Sequence, residues 1–327
     1  MAVLRAAVIG LRMGHTHAQA LAAIPEVELA AVCDVDAERG RQVAQELGVE
    51  QHCTDYRALV EADGVDIVTV ASPDNFHCAM TCELLASGKH VLCEKPMAPT
   101  LAESRQMALA ARQAGRKLMI GQSYRFDSRY RALHDLVGSG EIGELYYVEA
   151  DYWNNLQGVG GVGNWRNDPR IRHPYVGGCH AMDLLRWIAG EPVVEVMAYA
   201  NHRAFLEQPT DDFILGNARF ASGLLGRAIV SSGCQRPFRT SLNVYGTQGS
   251  IEDWQLSHHK GEDFGPISMP TGAPTPILAE QRAFVESVLE DTQPEVSAED
   301  GYGTMAACFA VIESAQTGLP VPVNEAI

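Results

Sequence analysis

No stretch of the 327-residue chain approaches the roughly 20 consecutive apolar residues that a membrane-spanning helix needs. The N-terminus, Met1-Ala2-Val3-Leu4-Arg5, enters a strand pattern at once. It lacks a basic segment followed by a long apolar run, so no secretory signal is expected. Positive charge is scarce: 25 Lys and Arg stand against 41 Asp and Glu, a formal charge of −16. Nucleic acid and an anionic membrane surface are poor partners for that balance. The eight cysteines include no CxxC pair, and Cys78 to Cys82 is a helical i, i+4 spacing with only His77 adjacent. No metal site is expected from them, and reduced thiols in the cytoplasm are. Internal repeats and low-complexity tracts are absent. What remains is a chain 46% hydrophobic, long enough for two domains and able to bury a sizeable core.

The first third alternates strand and helix. Apolar runs at Leu4–Ile9, Glu28–Cys33, Asp66–Ala71, Val91–Cys93 and Lys117–Ile120 are separated by helical patterns, one of them opened by the capping box Thr100-Leu101-Ala102-Glu103. Continuous apolar strands between helices predict a parallel sheet covered on both faces, with right-handed crossovers and doubly wound topology. After about residue 122 the pattern becomes one of alternating strands and hairpins: Tyr146–Trp153, Val193–Ala200, Phe213–Phe220 with Leu224–Ser231, and Thr240–Tyr245 with Ser250–Trp254. Gly265–Pro276, with four prolines, reads as a loop, and helices are predicted over 279–290 and 299–317. The expected fold is α/β: an N-terminal doubly wound Rossmann domain over 1–122, then a domain over 123–327 built on a mainly antiparallel sheet. The C-terminal helices are expected to pack back on the first domain, and the cleft between the halves is the default ligand site.

The first βα turn reads Val8-Ile9-Gly10-Leu11-Arg12-Met13-Gly14-His15. A dinucleotide fold needs a tight turn after the first strand and helix N-terminal amides facing the pyrophosphate. Gly10 and Gly14 suit the turn and the helix-packing position, with Arg12 and Met13 in the loop; the usual middle glycine is missing. Asp34, 24 residues after Gly10, suits the acidic group that takes the ribose hydroxyls and repels a 2′-phosphate, which favours NAD over NADP. His15 and His17 point to different sides of the first helix and read as a phosphate-side donor and a packed ring.

Further along, Cys93-Glu94-Lys95-Pro96 carries an E-K-P signature after a strand, preceded by Ala71-Ser72-Pro73-Asp74-Asn75-Phe76-His77 and followed by Gly177-Gly178-Cys179-His180-Ala181-Met182-Asp183-Leu184-Leu185-Arg186-Trp187. Tyr124-Arg125-Phe126, Gly140-Glu141-Ile142-Gly143 and Gly246-Thr247-Gln248-Gly249-Ser250 occur in the same order. Together these resemble the glucose–fructose oxidoreductase / inositol dehydrogenase / rhizopine catabolism family, over nearly the whole chain. The resemblance implies an NAD(P)-dependent oxidoreductase of sugars or polyols. It also implies a catalytic pair, Lys95 at the nicotinamide and His180 facing it, with Ser72, Pro73, His77, Glu94 and Lys95 on the cofactor side. The family often has the bond before Pro96 cis. Oxidising a secondary alcohol requires a hydride acceptor and a base; a half-buried lysine beside a cationic nicotinamide has a lowered pKa and suits the second role.

Many sugar-oxidising members carry an Asp four residues before the histidine, where this chain has Val176; Asp183, on the same helix face as His180, reads either as a substitute or as a hydrogen-bond partner within the helix. Trp153, Arg166, His173 and Asp183 are the expected substrate residues, on a segment where a glycine-rich stretch over 158–163 could close as a lid. The arginines there also suit a carboxylate-bearing sugar acid. Two other readings stay open: a cofactor-binding sensor or regulator without turnover, and an NAD-assisted glycosidase. The family resemblance further implies a homo-oligomer, dimer or tetramer.

Overall fold

The computed structural model describes residues 3–159, 168, 170–171, 173–258 and 263–327, with the side chains of 173–176 outside the description. In chain order, β1 (Leu4–Ile9), α1 (Gly14–Ala22), β2 (Val27–Cys33), α2 (Ala37–Leu47), β3 (Gln51–Cys53), α3 (Arg57–Glu61), β4 (Ile67–Val70), α4 (His77–Ala86), β5 (His90–Glu94), α5 (Leu101–Ala114) and β6 (Leu118–Gly121) come first. They are followed by α6 (Ser128–Gly138), β7 (Leu145–Trp153), α7 (His173–Ala189), β8 (Val193–Asn201), β9 (Phe213–Phe220), β10 (Leu225–Ser231), β11 (Arg239–Gly246), β12 (Ser250–Glu252), β13 (Gln255–Ser257) and β14 (Gly265–Pro266). Last come α8 (Pro276–Leu289), α9 (Ala298–Thr317) and β15 (Val321–Pro322). Two compact units result: residues 1–123 with 274–302, and residues 124–273 with 303–326.

The first unit is a six-stranded parallel sheet in the order β3-β2-β1-β4-β5-β6. Helices cover both faces of such a sheet, so Ala6, Ala7, Val8, Val68, Val91 and Leu92 are all fully buried and the strands read as unbroken apolar runs. The helices obey local rules. Asp36 caps α2 by accepting from the Glu38 and Arg39 amides, and Gly48 ends it in the left-handed conformation. Thr100 Oγ1 accepts from the Glu103 amide and donates to the Glu103 carboxylate, so the predicted pair caps α5, through the threonine hydroxyl on both counts. Strand order reverses between β1 and β4, and such a switch point is where ligands bind in doubly wound sheets. Gly10 sits there with φ +84°, and a Cβ on it would lie 2.6 Å from the Ala71 carbonyl oxygen beyond β4. Gly14 serves close packing: its Cβ would meet Val8 Cγ1 at 2.9 Å, where α1 descends onto β1.

The second unit is a nine-stranded sheet, β14-β13-β12-β11-β7-β10-β9-β8-β15. Both predicted hairpins form, β9–β10 and β11–β12. One neighbouring pair is parallel: β7 lies antiparallel to β11 but parallel to β10, to which the chain returns only after α7, β8 and β9. Helix α8 starts at Pro276, three residues before the predicted point, because Thr275 caps it and proline is well suited to the first helical turn. The preceding stretch is not all loop, since Gly265–Pro266 pairs with β13. Helix α6 was not singled out by periodicity; its start is fixed by Asp127, which accepts from the Arg129 amide.

Gly10→Ala should destabilise the protein by about 2 kcal/mol, combining a positive φ with a carbonyl clash. Chemical denaturation would show it as a lowered midpoint, and an unchanged midpoint would contradict the assigned turn geometry.

Candidate active site

In the first unit the end of β5 delivers Glu94 and Lys95, and Lys95–Pro96 is a cis peptide. Glu94 is buried and held on both oxygens. His17 Nε2, from α1, lies 2.9 Å from Oε1, and the Lys95 amide donates to Oε2 at 2.9 Å. Behind His17, the Gln281 amide from α8 bridges His17 Nδ1 at 2.9 Å and Thr69 Oγ1 of β4 at 3.0 Å. Burial by itself would raise the Glu94 pKa; the His17 hydrogen bond and the Lys95 charge and amide outweigh it and hold the carboxyl down to about 2. Lys95 itself is half-buried. His17 is thus the packed ring that the sequence suggests. His15 pairs instead with Glu46 at 2.9 Å.

Next to Gln281, Glu280 is completely buried, and neither of its carboxylate oxygens has a hydrogen-bond partner among the described residues. Burial first, and the neighbouring Glu94 charge second, push its pKa well above the ordinary value; Lys95 opposes them weakly. Two carboxylates in one dry region cannot both ionise cheaply. Glu94, with its two donors, keeps the charge, and Glu280 keeps a proton.

At the switch point, Asp34 is only 6% exposed. Its Oδ2 accepts from the Leu11 amide of the Gly10 loop at 2.7 Å, and its Oδ1 accepts from the Asp36 amide at 2.9 Å and Arg39 Nη1 at 3.1 Å. A carboxylate offers about four acceptor positions, so an acceptor site remains for a ribose hydroxyl, and Arg39 is already neutralised by Asp34 and Asp36. Arg12 and Met13 are exposed on the loop. The tight glycine turn at Gly10, packed against the Ala71–Ser72 backbone, and the acid tied to that loop with an acceptor position left over fit a dinucleotide.

His77 departs from the cofactor-side expectation. Its ring is fully buried, with Nδ1 3.0 Å from the Pro96 carbonyl oxygen and Nε2 2.9 Å from the Ser72 carbonyl oxygen. Both nitrogens are spent on the backbone, so His77 has none left for a ligand. Ser72 and Pro73 are half-buried on the segment that His77 ties down.

In the second unit, His180 lies on α7 and is 5% exposed. Its ring stacks on Tyr124 at 4.2 Å between centroids and 17° between planes, with Tyr152 on β7 at 6.0 Å and 24°. Tyr124 stacks in turn on Tyr130, whose hydroxyl donates to Thr240. The glycines before His180 have a packing reason: a Cβ on Gly177 would lie 2.3 Å from the Tyr152 ring, and one on Gly178 would lie 3.0 Å from Val230. Only bare backbone lets that ring come against the helix.

Two expected substrate residues lie elsewhere. Trp153 follows Tyr152 on β7, and successive strand residues face opposite sides. It packs against Phe213 at 6.0 Å, on the other face from Tyr152 and His180. Asp183 is on the helix face with His180, but Arg125 binds it through two parallel bonds, Nε to Oδ2 at 2.8 Å and Nη2 to Oδ1 at 2.7 Å, and Thr304 adds a third at 3.0 Å. Arg125 and Asp183 are 5% and 1% exposed, so Asp183 is a structural anion and not a substrate ligand. Tyr152, Tyr124 and Arg125 were the residues to add. Tyr-Arg-Phe at 124–126 was visible as a motif, but its pairing with Asp183 was not. Arg166 lies outside the described residues, as do the side chains of His173 and Val176 and most of the glycine-rich stretch.

Residues 4–122 match the model of an oxidoreductase family with an NAD-binding Rossmann fold, and residues 130–252 match the GFO/IDH/MocA C-terminal domain. The chain belongs to this oxidoreductase family. It is 28% identical to 1,5-anhydro-D-fructose reductase of Ensifer adhaerens, covering 89% of this chain and 90% of that one. It is also 28% identical to myo-inositol 2-dehydrogenase of Thermotoga maritima, covering 99% and 100%. Among solved structures, an oxidoreductase domain protein from Kribbella flavida superposes with a TM-score of 0.88 at 27% identity, covering 99% and 100%. The matched family has the NAD-binding Rossmann fold expected from the Gly10 turn and Asp34.

Asp183→Asn leaves the buried Arg125 guanidinium without its anion and should cost about 3–5 kcal/mol; urea unfolding that shifts by under 1 kcal/mol would contradict the pairing. Glu280 holds more protons folded than unfolded, so its contribution to stability falls as pH rises above the ordinary glutamate value of 4.5, by up to about 1.4 kcal/mol per pH unit. Glu280→Gln should remove that slope, and melting curves from pH 5 to 8 that stay parallel to wild type would argue against a buried neutral acid.

Proposed function

We propose that this protein is an NAD-dependent dehydrogenase that transfers a hydride between the nicotinamide cofactor and a secondary alcohol carbon of a sugar, sugar derivative or cyclic polyol. The observation that carries the proposal is the clamped Glu94–Lys95 segment. A carboxylate fixed by His17 grips the Lys95 amide, so the backbone that carries the lysine is held where β5 ends. A general base must be held in place to be effective. The likeness to inositol 2-dehydrogenase and anhydrofructose reductase supports the substrate class.

In this reading Gly10, Gly14 and the exposed loop residues Arg12 and Met13 receive the pyrophosphate half of NAD, and Asp34 receives a ribose hydroxyl. Ser72 and Pro73 line the same side. Hydride acceptance is what NAD supplies when bound there. Lys95 takes the hydroxyl proton as the alcohol becomes a carbonyl. His180, stacked on Tyr124 and with the Tyr152 ring near it, orients the substrate hydroxyl and relays the proton. The flat, partly polar Tyr152 ring suits a sugar face. Arg166 and His173 are proposed as further substrate contacts, and the protein as a cytoplasmic homo-oligomer.

The experiment is a panel of sugars and polyols with NAD and with NADP, read at the absorbance of reduced nicotinamide. Turnover is expected with NAD and at least one polyol, and Lys95→Ala should reduce it by about 10³-fold while NAD binding, followed by fluorescence, persists. NAD binding without turnover on any member of the panel would point to the sensor reading. Release of free sugar without net reduction of NAD would point to the glycosidase reading.

A further inference from the structure

His77 makes two contacts that a neutral imidazole cannot satisfy together. Both ring nitrogens lie at hydrogen-bond distance from carbonyl oxygens, 3.0 Å from Pro96 and 2.9 Å from Ser72. A carbonyl oxygen only accepts, whereas a neutral ring carries one N–H and one lone pair. One contact would therefore set lone pair against lone pair in a site with no solvent exposure. Turning the ring over would put Cδ2 and Cε1 against the two carbonyls and lose both contacts, so the nitrogen-to-carbonyl orientation is the one that satisfies Ser72 and Pro96.

We propose that His77 is a buried imidazolium clamp, donating one N–H to the Ser72 carbonyl and the other to the Pro96 carbonyl, and that it is the positioning residue for the loop carrying Lys95. The titratable groups that face it are the Cys93 thiol from β5 and the Asp74 carboxyl from the turn before α4. Burial opposes the charge. Cys93, the Asp74 carboxylate and the Ser72 carbonyl act against that penalty and move the histidine up from its ordinary value. The clamp works on the opposite flank of Lys95 from Glu94. Glu94 holds the amide of Lys95, and His77 holds the carbonyl of the next residue. The same ring joins that loop to the Ser72-Pro73 segment after β4, so the two proposed cofactor-side segments are fixed as one piece. The importance of Lys95 rests on the proposed dehydrogenase reading; the protonation state of His77 does not.

The test uses the full-length protein with 15N-labelled histidine, and needs no turnover. At pH 9 the solvent-exposed histidines have lost their second proton, so any ring with two protonated nitrogens stands out. One such ring is expected in wild type, absent in His77→Gln and retained in His17→Gln, which removes the other fully buried ring. No doubly protonated histidine at pH 9, or loss of the signal in His17→Gln, overturns the proposal. If His77→Gln fails to fold, the wild-type and His17→Gln spectra decide between these outcomes. For positioning, amide hydrogen exchange of the 94–99 segment should quicken by about tenfold in folded His77→Gln, the lower range for losing a charged hydrogen bond. Exchange in β10 should be unchanged, and equal rates in the 94–99 segment would refute the positioning role.

Discussion

Burying the Glu94 carboxylate constrains everything around the proposed cofactor side of the first unit. A carboxylate out of water must be fully hydrogen-bonded or give up its charge. His17 and the Lys95 amide meet that demand, and Gln281 and Thr69 hold His17 in turn. Four separate elements, α1, β4, β5 and α8, are therefore tied through one anion. Glu280 shows the other solution to the same problem, because with no donor among the described residues it keeps its proton. The pair is complementary: ionising Glu280 would place a second anion beside the one that fixes the Lys95 backbone.

The second unit repeats the principle with different parts. Arg125 and Asp183 form a buried, bidentate pair that docks α7 beside the turn at Ser123–Phe126, and Thr304 from α9 completes it. That pair sets where α7 runs, and the two glycines preceding His180 let the Tyr152 ring and Val230 close against the helix. The imidazole of His180 ends up stacked on Tyr124, which helps to fix its plane.

Much of this was readable from the linear chain. Continuous apolar strands between helices gave the parallel sheet, the Thr100–Glu103 box marked a helix start, and hairpins marked the second sheet. Glu94, Lys95 and His180 stood out by motif. Three readings went elsewhere for physical reasons. Trp153 reads as a substrate residue, but strand alternation puts it on the face opposite Tyr152, and only the position of α7 shows which face has the histidine. Asp183 was placed on the right side of its helix, but its oxygens were already committed to an arginine 58 positions away. His77 had the look of a cofactor residue, and its nitrogens went to two carbonyls.

The sequence alone determined which segments become strands and helices, because periodicity, caps and turns act over a few residues. It also placed a glycine at the tight turn after β1 and an acid at the end of β2. Tertiary structure decided which polar groups are spent and which are left for chemistry. His17 meets Gln281 across 264 positions and Asp183 meets Thr304 across 121. Pairings of that kind follow from how strands order and helices dock, and no local pattern encodes them.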